Sequence, residues 1–153
     1  VIARRIRIAV TCTALTALSA CANATLPNSS PSQDATSAAA YAHDVFVAVN
    51  AERTVASLTP LEWDDCLAEE ALKRARQAAG TDELQHEALL VSCGDGERTG
   101  ENLSRLNGTP AEVVERWMAS AGHEANIMDA DFSVGGVGCV EAGSLTTCSM
   151  LEQ

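Results

Sequence analysis

Three histidines, six cysteines and a surplus of acids are the residues of this chain that could do chemistry. His123 follows Gly122 in the stretch SAGHEANIM and precedes one further turn of helix. A neutral imidazole there can take a proton, orient a ligand or hold a divalent metal; its plainer role is to bond a carbonyl or cap the helix. His86, in LQHE, lies 37 positions earlier, with no HExxH arrangement to place both rings on one helix face. Ser92, Ser104 and Ser120 lack the G-x-S-x-G or S-x-x-K setting of a serine nucleophile. Spacing alone therefore assigns no reaction.

Cysteine usage gives a compartment. Arg4, Arg5 and Arg7 precede an apolar run over 8–18 and then Ser19-Ala20-Cys21. A basic start, a short apolar stretch and small residues describe a secretory signal over 1–20, too short to remain as a membrane span. LSAC at 18–21 resembles the lipobox of bacterial lipoproteins, which makes Cys21 the expected lipidation site and the exported protein either membrane-anchored or secreted. Cys66, Cys93, Cys139 and Cys148 remain, an even count that predicts two disulfides outside the cytoplasm. No CxxC pair is present, so thiolate ligation of metal is not expected. Cys139 and Cys148 are symmetric about Gly143-Ser144 and fall on a non-hydrogen-bonded pair of a hairpin, where Cα atoms approach to ~4.5 Å. Cys66 and Cys93 pair by elimination.

Ten basic against 21 acidic residues give a net charge of −11; without residues 1–20, seven basic groups remain and the net is −14. Such a field excludes a basic nucleic-acid or anionic-lipid patch, leaving membrane contact to the lipid anchor. Residues 21–38 are rich in Ser, Asn, Thr, Ala and Pro and read as a disordered tether, so the folded domain is expected over 39–153.

The elements that must position the histidines follow from periodicity. Tyr41, Val45, Ala48 and Val49 mark one helical face, with His43 solvated and either preceding or opening that helix. Asp64 or Asp65 caps a second helix with Ala68, Leu72, Ala75 and Ala79 along its buried side. Short strands are expected at 88–92 and 101–106. TPAE at 109–112 starts a third helix through a capping box, with Ala111, Val114, Met118 and Ala121 inward and an interruption at Gly122. Strands at 134–140 and 145–151 form a closing hairpin, and Trp63 and Trp117 are expected in the core. The order predicts an α+β layered domain.

Five stretches in sequence order, VNAER, LTPLEWDDCLAEEA, LQHE, GENL and WMASAGHEANIM followed by GVG, resemble the CAP superfamily (SCP/PR-1-like) in its short bacterial form, from about His43 to Leu151. The resemblance implies an α-β-α sandwich, about three main helices around a small antiparallel sheet. It also implies a cleft lined by His86, Glu101 and His123, able to hold a divalent metal such as zinc. The chain departs from the pattern where many relatives carry a glutamate three residues after the helix tryptophan: here that position is Ser120. Asn102 and Asn126 are expected to support the cleft. Three functions compete: an envelope binding module for a small molecule, lipid or divalent cation, a metal- or histidine-dependent hydrolase, and a structural or adhesive domain. No protein partner is implied.

Overall fold

A computed structural model of the chain describes residues 33–86, 88, 93–94 and 98–153; the leader, most of the tether, Cys21 and nearly all of the strand expected at 88–92 lie outside them. The elements are α1 (Gln33–Val55), β1 (Glu62–Trp63), α2 (Asp65–Ala79), β2 (Gly100–Leu106), α3 (Pro110–Met118), α4 (Ala121–Ile127), β3 (Val134–Ala142) and β4 (Leu145–Glu152). One four-stranded sheet has the order β1-β3-β4-β2. It is antiparallel except for β1, whose two residues run parallel to Val134 and Gly135. This is an α-β-α sandwich.

The layers follow from strand alternation. On one face Val137, Cys139, Cys148 and Met150 pack with Val45, Phe46 and Val49 of α1 and Val113, Val114 and Trp117 of α3. On the other, Leu151 meets Leu67 and Ala71 of α2. Here β3 carries Gly136 and Gly138, because α2 lies almost against the strand: an added Cβ would stand 2.2 Å from the Ala68 nitrogen and 2.1 Å from that of Leu72. Gly143, at φ +64°, supplies the left-handed conformation in the hairpin turn. Two disulfides are formed, Cys66–Cys93 across 27 positions and Cys139–Cys148 between facing strand residues with Cα atoms 4.1 Å apart.

Several local expectations need correction. α1 begins at Gln33, six residues inside the expected tether, since the alanine-rich DATSAAA stretch favours helix. His43 is therefore inside α1, exposed, and not at its opening. The buried face of α2 is Leu67, Ala71, Ala75 and Ala78: Ala75 is as expected, while the other three lie one residue earlier than Ala68, Leu72 and Ala79, because Asp64 caps and Leu67 turns inward at once. The third helix has its capping box, Thr109 with Glu112, but buries Val113, Val114 and Trp117 and stops at Ala119. Gly122 lies within α4, not at the break, and has no positive φ. Trp117 is core, donating to the Leu103 carbonyl at 3.0 Å, whereas Trp63 is 38% exposed.

Candidate functional site: an imidazole pair over a pinned carboxylate

β2 is a sheet edge, and a cleft of about 550 Å³ opens along it. Glu101, directly opposite Leu151, points to the α2 side of the sheet and is buried. Both of its oxygens are engaged. Arg74 of α2 donates from Nε to Oε1 at 2.7 Å and from Nη2 to Oε2 at 3.2 Å, a two-point grip on the carboxylate. Ser149 Oγ stands 3.5 Å from Oε1. His86 Nδ1 meets Oε2 at 2.9 Å, and facing a carboxylate oxygen that nitrogen carries the hydrogen. The Nε2 lone pair of His86 is then left for the cleft.

His123 reaches the same cleft from α4. Asn102, fully buried on β2, donates to the His123 carbonyl at 3.1 Å. Asn126 donates to the Asn102 side-chain oxygen at 2.9 Å and to the Glu101 carbonyl at 3.2 Å. The two asparagines thus lock α4 to β2 and set where His123 stands. Its ring centroid lies 5.9 Å from that of His86. Burial, and secondarily repulsion from His86, lower its pKa below the usual histidine value, so the neutral ring is favoured. Ser120, the N-cap residue of α4, lines the cleft without a side-chain capping bond.

The structure therefore brings together His86, Glu101 and His123, with Asn102, Asn126 and Ser120 around them. The sequence reading missed Arg74. No motif distinguishes it from Lys73 and Arg76 in LKRARQ; only the correct helical face places it beside the buried stripe.

These donors do not fit a resident zinc centre. Among the described residues, His86, Glu101 and His123 do not bring three ligand atoms within 4.8 Å of one another, and Glu101 already faces a guanidinium. The group that does converge is Asp64, Cys66 and Cys93, but its sulfurs are bonded to each other and offer no thiolate. Asp64 is also occupied, accepting from the Leu67 amide.

A protein-family model, the CAP or cysteine-rich secretory protein family, matches residues 46–150. The chain belongs to the CAP family. The uncharacterized protein YkwD of Bacillus subtilis is 35% identical over 120 residues, which cover 72% of this chain and 47% of that protein. The chain thus spans about half the length of the curated relative it matches. An outer surface protein of Borrelia burgdorferi superposes with a TM-score of 0.63 at 19% identity, over 72% of this chain and 91% of the other. An extracellular SCP-domain protein of Bacillus anthracis gives 0.61 at 18%, over 74% and 41%. NaASP2, solved with Zn²⁺, gives 0.57 at 11%, over 82% of each. These likenesses establish the fold; the zinc belongs to that protein.

Proposed function

We propose that this CAP domain is an exported binding module whose β2-edge cleft holds a small polar ligand through the imidazoles of His86 and His123. The observation that carries the reading is Glu101, pinned by Arg74 and itself fixing the His86 tautomer. A ring held that way offers Nε2 as an acceptor, and neutral His123 faces it. Two acceptors across a cleft select hydroxyl or amine donors, and a net −11 chain favours cationic ones. The hydrolase reading has one feature in its favour, an imidazole oriented by a carboxylate as a general base requires. Against it, His86 is 55% exposed, so the site does not exclude water, and Arg74 shares the carboxylate.

Export is supported by two disulfides and by the extracellular relative. The domain order we propose is a signal over 1–20, a tether acylated at Cys21, and the CAP domain.

Ligand-observed NMR with polyols, amino sugars and small amines tests the cleft. Binding is expected to weaken about tenfold or more in His86→Ala and His123→Ala, each removing one hydrogen-bond acceptor, and to be unchanged in His43→Ala. It should also weaken once pH falls below the lowered His123 value, where protonation converts that acceptor into a donor. Equal binding by the two cleft variants and wild type would reject the reading.

A further inference from the structure

The opposite edge of the sheet carries a second, independent feature. β1 covers only Val134 and Gly135, so among the described residues β3 from Gly136 to Ala142 has no neighbouring strand on that side. Alternation fixes which backbone groups face outward. The Gly135 carbonyl faces the β1 side, accepting from the Asp64 amide at 2.9 Å, while Val134 bonds on the β4 side. Val137, Cys139 and Glu141 share the parity of Gly135, so their N–H and C=O groups point away from β4. No hydrogen-bond partner for these groups exists among the described residues. The side chains of Val137 and Cys139 point into the core, while both residues line the groove described next.

A groove of about 550 Å³ runs along this edge, with α1 on one wall and α2 on the other. Both walls are cut low by small side chains, Ala38, Ala39 and Ala42 facing Ala68, with Leu72 beyond. Trp63 closes one end, its indole N–H bonded to Asp65 at 2.8 Å and its ring against Phe46 edge-on at 5.0 Å. The rim carries Asp65, Glu69 and Glu141 against a single cation, Arg76. The groove is thus a slot between two helical layers, in the plane of the sheet, floored by main-chain donors and acceptors.

We infer that this slot binds an extended peptide segment of a partner protein, which adds a strand to β3 beyond the end of β1. Backbone donors and acceptors in a row are matched by another backbone, not by an alkyl chain. From Val137 to Glu141 the strand would run about 13–14 Å. Its side chains would alternate between the alanines of α1 and Ala68 and Leu72 of α2, so small apolar residues fit the centre and basic residues fit the acidic rim. The slot is distinct from the His86–His123 cleft, which lies on the β2 edge.

The test uses a pool of capped heptapeptides with lysine at both ends and Ala, Val, Thr or Ser between them, together with the same pool N-methylated at alternate positions. Affinity selection on the full chain, followed by amide hydrogen exchange, should recover peptides that slow exchange at Val137, Cys139 and Glu141. N-methylation should weaken binding about tenfold or more, as expected for the loss of two or more backbone bonds. Ala39→Trp, an exposed wall residue, should abolish capture while leaving thermal stability near wild type. Equal capture of both pools, no enrichment from either, or protection of these amides by dodecanoate but not by peptide would overturn the inference.

Discussion

Arg74, His86 and Glu101 act as a unit: the arginine supplies charge, the carboxylate is buried, and the imidazole takes its orientation from both. Arg74→Met would leave a buried carboxylate without its counter-ion, and we expect a loss of about 2–4 kcal/mol by urea denaturation. The same variant should blur the His86 tautomer preference in nitrogen-15 NMR. His86, Glu101 and His123 were legible as residues because three short motifs carried them, but the ion pair was not, since Arg74 is a surface-type residue drawn inward only by the register of α2. Glu152 is a second hidden acid. It is fully buried on β4 with neither oxygen hydrogen-bonded, and burial, opposed by nearby Arg53 and reinforced by Glu101, raises its pKa to about 8. Because the folded value lies above the ordinary 4.5, its favourable contribution is complete below pH 4.5 and is lost as pH rises through about 8. Glu152→Gln should therefore be more stable than wild type at pH 8, on the order of 1–3 kcal/mol, with the advantage vanishing near pH 4.

Element boundaries show which signals a sequence carries well. The capping box at Thr109 and Glu112 fixed the start of α3 because both partners are local. Its end was misread, since Gly122 suggested a break that Ala119 and Ser120 actually make. Three of the four α2 stripe positions, all but Ala75, lie one residue earlier than expected because alanines lie on several sides of that helix; contact with the sheet chose Ala71 over Ala68. Gly138 and Gly122 separate the two uses of glycine. Gly138→Ala would drive a Cβ into the Leu72 backbone, and we expect a loss of about 3 kcal/mol or failure to fold. Gly122→Ala meets nothing within 4 Å on a helix and should stabilise by about 0.5–1 kcal/mol. Denaturant midpoints of the two variants decide the comparison.

At the scale of the whole molecule, the order helix, helix, strand, helix, hairpin was readable, and with it the sandwich. The parallel contact of β1 was not, because two residues carry no strand period. That short strand leaves one sheet edge open, while the other edge holds the imidazole cleft. Two disulfides tie the frame: Cys66–Cys93 anchors the segment between α2 and β2 that carries His86, and Cys139–Cys148 staples the hairpin. The cleft is thus built on a cross-linked scaffold, which holds its side chains in place. The most direct test is native mass spectrometry with metal analysis of the protein purified without denaturation from an exporting host. A small organic adduct present in wild type, absent from the His86→Ala/His123→Ala double variant, and unaccompanied by stoichiometric metal is the predicted result. Stoichiometric zinc that disappears in Glu101→Gln, or a wild-type protein carrying no adduct at all, would contradict it.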